Sequence, residues 1–95
     1  MIEWTNADQA LVLSKGGLPF ATIAFQAGPV KEAGVNGCQV EDLLRISRDR
    51  LIHLNARMKS LWNMEALHHI SMALNALDRR TEDRERRGVE GTERP

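Results

Sequence analysis

The sequence predicts an α+β protein in which short N-terminal β-strands precede an antiparallel two-helix hairpin, assembled as a homo-oligomer. Three observations lead there. A β-branched and aromatic run, FATIAFQ, stops at Gly28-Pro29. Apolar residues recur at helical spacing from Val40 onward, and an arginine-rich segment halts at Gly88.

Residues 1–19, MIEWTNADQALVLSKGGLP, combine an apolar run at 10–13 with Gly16-Gly17 and Pro19, which reads as one short strand and a loop. A second strand is expected over residues 20–26, and its partner is either the N-terminal run or another subunit. Gly34, Asn36 and Gly37 then supply turn chemistry, because Gly and Asn tolerate positive φ; the loop is ordered only if something packs on it.

From residue 39 the period changes. Val40, Leu44, Ser47, Leu51, Leu54 and Met58 follow one another at intervals of four and three, and Glu41 and Asp42 sit in the first turn, where the helix dipole favours negative charge. This predicts a helix over 39–56. A second helix starting within 61–63 keeps Leu67, Ile70, Leu74 and Leu77 on one stripe and runs to 86 or 87. Gly88 suits a left-handed C-terminal cap, and Val89 is the apolar residue that folds back after it. A short link at 58–60 makes the two helices antiparallel neighbours. The expected organisation is a single domain over 1–95, with strands and loop in 1–37, the hairpin in 38–88 and a tail in 89–95.

Composition restricts the function classes. A 95-residue domain buries a modest fraction of its surface, and with two Phe, two Trp and no Tyr its core must come from aliphatic residues. Association is expected. Thirteen basic residues balance thirteen acidic ones, which argues against the basic stripe needed for binding a nucleic-acid polymer. Cys38 has no intramolecular disulfide partner, and no run resembles a signal peptide or membrane span, so a soluble intracellular protein is expected.

Arg80, Arg84 and Arg87 lie four and three residues apart, within roughly a 60° arc of a helix, so their guanidiniums could converge on phosphate oxygens. The same spacing also suits cations that complement a helix C-terminus and pair with Glu82, Asp83 and Glu85. Asn63 is placed either to cap the second helix or to meet a ligand. Trp62 could staple the hairpin or offer a flat surface to a base. His53, His68 and His69 lack the spacing that puts two imidazoles on one helical face, so no metal site is expected. Cys38 lacks a basic activator, and Glu65 and Glu90 lack a partner of contrasting environment. No catalytic constellation emerges.

Three blocks taken together carry a resemblance: FQAGPVKEAGVNG (25–37), EDLLRISRDRL (41–51) and RRTEDRERRGVEGT (79–92). They resemble the phage-encoded Thoeris anti-defence sponge family of the first type, which shares its helical-hairpin domain with anti-CBASS sponge proteins. The resemblance implies a non-catalytic protein, without cofactor, in the cytoplasm of the infected bacterial host. It would bind and hold glycocyclic ADP-ribose made by TIR-domain proteins and, in some members, cyclic di- and trinucleotides. It implies that Arg80, Thr81 and Arg84 form the binding Arg-Thr-x-x-Arg segment, that Asn63 contributes from the start of the second helix, and that the protein is a homodimer or homohexamer. Base stacking would either fall to Trp62 or be weaker, since Leu54 stands where the family's usual aromatic is found. The rival expectations are an enzyme that cleaves such signals and a small dimeric DNA-binding regulator.

Overall fold

The computed structural model describes residues 1–95, which form two compact units: 1–39 with 91–94, and 40–90 with Pro95. The first is a three-stranded antiparallel meander of β1 (Ile2–Asn6), β2 (Gln9–Leu13) and β3 (Pro19–Ala24), in the order β1-β2-β3. β3 therefore pairs with the N-terminal run of its own chain.

Register follows from side-chain alternation. Trp4 pairs with Ala10, and Ala10 with Ile23, so these three share one face, where Ala10 is the buried centre. Phe25 continues that face two residues beyond Ile23, and its ring stacks on Trp4 at 6.0 Å between centroids. An Asx turn, in which the Asp8 amide donates to Asn6 Oδ1 at 2.8 Å, reverses the chain between β1 and β2. β1 was not expected from the sequence, which gave residues 1–19 a single strand. Ile2 and Trp4 on one face and Glu3 on the other do carry the period-two signal, but over only five residues.

The segment after β3 is ordered by side-chain chemistry. Asn36 Oδ1 accepts from Ala27 N, Asn36 Nδ2 donates to Ala27 O, and Asn36 N donates to Gln26 Oε1. Between these residues lies a single helical turn, α1 (Val30–Ala33), too short to show a helical period in the sequence. The tail joins this unit where Lys31 N donates to Gly91 O at 3.1 Å. Gly37 is required by close approach rather than by positive φ: Cys38 bridges to Phe25, and a Cβ at 37 would lie 2.5 Å from the Phe25 carbonyl oxygen and 2.7 Å from that of Ala24.

The second unit is the hairpin of α2 (Val40–Arg57) and α3 (Leu61–Arg86). Ser60 caps α3, accepting from Trp62 N and Asn63 N, while Asn55 Oδ1 takes the Ser60 amide at 2.9 Å and fixes the three-residue link. The antiparallel return brings Arg80, late in α3, within 3.9 Å of Glu41 at the start of α2. On α3 the expected stripe holds, with Leu74 buried and Leu67, Ile70 and Leu77 half-buried. On α2 Leu44, Leu51 and Leu54 hold the expected stripe, but Val40, Ser47 and Met58 are exposed, and Glu41 and Arg48 are half-buried in place of Val40 and Ser47. The long Arg48 side chain can lie along an apolar surface with its head in water, so a thin two-helix interface accepts it where the spacing predicts Ser47.

Gly37→Ala should cost about 3 kcal/mol, because the new methyl meets backbone that cannot move aside. Gly17→Ala should cost only ~1 kcal/mol, since Gly17 has φ 84° and open space around it. Urea midpoints at matched protein concentration check the order; an equal or smaller loss for Gly37→Ala contradicts it.

Candidate functional site

Arg80, Thr81, Arg84 and Arg87 occupy the last two turns of α3 and its cap. The helix ends there in a Schellman motif. Gly88, at φ 71°, donates to Glu85 O, and Val89 N donates to Arg84 O, both at 3.0 Å. Val89 is buried as the sequence predicts, and its turned-back carbonyl accepts from Arg84 Nη2 at 3.0 Å. Reversal of the chain also brings Glu90 alongside, with Oε2 at 3.3 Å from Arg84 Nε. Arg84 is consequently half-buried on the packing stripe, with Thr81 one turn before it.

The three guanidiniums are divided among different partners. Arg80 faces Glu41, and Arg84 faces Val89 and Glu90. Arg87 Nε donates to Asp83 Oδ2 at 3.0 Å and Nη1 donates to the Pro95 carbonyl. A shared arc on the helix is therefore not a shared acceptor. Glu90 gains in Arg84 the partner that the sequence did not reveal, and Glu65 lies 3.7 Å from His69.

At the opposite end of α3, Asn63 lines a pocket of about 350 Å³ with Leu54, Arg57, Met58, Lys59 and Ser60. Ser60 performs the capping considered for Asn63, so the half-buried Asn63 amide is not spent on the cap. Trp62 stands beside it, 79% exposed, which favours a surface for a partner or ligand over a staple. In the sequence, residues 58–60 read only as a link and Arg57 and Lys59 have no assigned role, although these two put cations at the tip. A second cavity of about 500 Å³, in the strand unit, is lined by Asn6, Ala7, Asp8, Gln9, Ala24, Phe25, Ala27 and Asn36. It has a carboxylate and no Lys or Arg in its lining, the wrong polarity for an anion.

Comparisons with known proteins agree with the hairpin as the characteristic unit. A family model described as "Acb2/Tad1, hairpin domain" matches residues 19–82, a span that includes Asn63, Trp62, Arg80 and Thr81 and stops before Arg84. A protein of Bacillus phage SBSphiJ7 named "Thoeris anti-defense 1" is 44% identical over 73 residues, which cover 76% of this chain and 51% of the relative. The chain thus spans about half the length of the curated relative that it matches.

Gly88→Ala should destabilise the turn that carries Val89 and Glu90 by about 1 kcal/mol. Amide exchange at Gly88 and Val89 is expected to accelerate about five-fold, while that of Met64, whose amide donates to Ser60 O at the far end, stays unchanged. Equal acceleration at both ends would show that the Schellman turn is not a local device.

Proposed function

The chain belongs to the Acb2/Tad1 hairpin family, and from that premise we propose that it is a phage anti-defence sponge. It binds cyclic nucleotide immune signals, chiefly glycocyclic ADP-ribose, with cyclic di- and trinucleotides as further ligands, and holds them without degrading them. The proposed binding residues are Asn63 and Trp62 at one end of α3 and Arg80, Thr81, Arg84 and Arg87 at the other. Its place of action is the cytoplasm of the infected host; no helix is long and apolar enough to cross a membrane.

One observation carries the mechanism: α3 is a single uninterrupted helix from Leu61 to Arg86. Asn63 and Arg80 are 17 residues apart on it, or about 25 Å along the axis, more than twice the roughly 10 Å breadth of a cyclic nucleotide. No single ligand touches both on one chain. A common ligand must lie between subunits, with one chain supplying Asn63 and the pocket beside it and its neighbour supplying Arg80 and Arg84. A two-fold homodimer then carries two equivalent sites, and a homohexamer correspondingly more.

Surface chemistry supports association. In the hairpin unit only Leu74 and Val89 are buried apolar residues, whereas Val40, Ile46, Ile52, Met64 and Met72 are exposed on the two helices. A homo-oligomer would cover such residues and exclude water from the ligand. Exclusion matters energetically. Signal removal at equilibrium needs a dissociation constant on the order of nanomolar, about −12 kcal/mol, and solvent-exposed ion pairs contribute only ~1 kcal/mol or less each.

Calorimetry with a panel of glycocyclic ADP-ribose isomers and cyclic oligonucleotides should give nanomolar binding for at least one. Ligand recovered after denaturing the complex should be intact, and a converted product would support an enzyme instead. Arg84→Ala and Asn63→Ala should each lower affinity at least 100-fold, about 2.7 kcal/mol. Mixed oligomers of the two variants should regain some sites with wild-type affinity. Absence of recovery, with mixing verified by mass spectrometry, would reject the shared site.

A further inference from the structure

Two buried carboxylate oxygens have no hydrogen-bond donor, Glu41 Oε1 and Glu90 Oε2. Each is the atom that faces one of the proposed phosphate-binding arginines: Glu41 Oε1 lies 3.9 Å from Arg80 Nη2, and Glu90 Oε2 lies 3.3 Å from Arg84 Nε. The neighbouring pairs differ. Asp83 accepts genuine hydrogen bonds from Arg86 Nη2 at 3.1 Å and Arg87 Nε at 3.0 Å, the geometry of finished surface ion pairs. A carboxylate oxygen stripped of water and given no donor is a local free-energy cost. That cost is present twice at the same helix end, and both times at an arginine assigned to the ligand.

We infer that Glu41 and Glu90 are built-in counter-ions that set which anions the two arginines accept. Each carboxylate occupies its guanidinium loosely, so an incoming phosphate must displace it. The displaced carboxylate oxygen then recovers the water it lacks in the free protein. A cyclic nucleotide offers base, ribose and two phosphates, enough contacts to drive both displacements. A small anion offers only charge, and the counter-ions already supply that. Glu41 and Glu90 are thus specificity-determining residues, keeping the arginines from abundant simple phosphates. Glu90 reaches its place because Gly88, at φ 71°, lets the chain turn back after α3. Glu41 reaches its place through the antiparallel return of α2. The inference rests on the reading that Arg80 and Arg84 meet the phosphates of the ligand.

Inorganic pyrophosphate tests it without any nucleotide. Its binding to the oligomer, measured by calorimetry, should be weak for the wild type and about five-fold tighter for Glu41→Gln and for Glu90→Gln, the effect of removing one competing ion pair. Glu85→Gln, the same charge change on the exposed last turn of α3, should leave it within two-fold of the wild type. Pyrophosphate binding that is unchanged or weaker in Glu90→Gln, or tightened equally by Glu85→Gln, overturns the inference. Should Glu41→Gln fail to fold by circular dichroism, Glu90→Gln, beyond the end of α3, decides alone. The two claims fail separately. If the wild type binds no cyclic nucleotide while Glu90→Gln gains pyrophosphate, the counter-ion role stands and the ligand assignment falls; tight signal binding with no gain of pyrophosphate gives the reverse.

Discussion

The rigidity of one helix is the constraint on which the account depends. α3 runs without interruption for 26 residues, and its backbone hydrogen bonds hold its two ends at a fixed separation far greater than the size of a nucleotide. The ends differ chemically. At one lie an amide, an exposed indole and a half-enclosed pocket; at the other lie arginines with their carboxylates. The proposed common ligand would have to meet unlike ends of different protomers, which would make association and ligand binding one property rather than two.

Both ends are prepared for that role by local backbone chemistry. Ser60 satisfies the first amides of α3 and leaves Asn63 available in the pocket lining. The Schellman turn at Gly88 satisfies the last carbonyls, buries Val89 and turns its carbonyl onto Arg84. The consequence for energetics is preorganisation: the Val89 carbonyl holds Arg84 Nη2 in place, so less side-chain entropy would be lost on meeting the proposed anion. Arg80, more exposed and more distantly paired, has less of this preparation.

Much of the fold was legible because helical periodicity is a strong signal over long segments. The bounds of α3, the cap at Gly88 and the burial of Val89 follow from spacing and from the conformational freedom of glycine. β1 and α1 were hidden because five and four residues are too few to establish a period. The packing face of α2 keeps Leu44, Leu51 and Leu54 but takes in Arg48 instead of Ser47, since pattern reading takes no account of charged side chains lying along an apolar seam. The arginines themselves were visible in the sequence, and so was Asp83, which pairs with Arg87, but the partners of Arg80 and Arg84 were not. Glu41 meets Arg80 only after the chain has turned back on itself, and Glu90 meets Arg84 only through the reversal at Gly88. The Gly37 requirement likewise depends on where Phe25 passes, which no local pattern records.

A crystal structure of the oligomer with glycocyclic ADP-ribose tests the central claim most directly. Each ligand should lie between two protomers, touching Asn63 of one and Arg80 and Arg84 of the other. A ligand held wholly within one chain, or bound with the Arg80 and Arg84 guanidiniums facing bulk water, would contradict it.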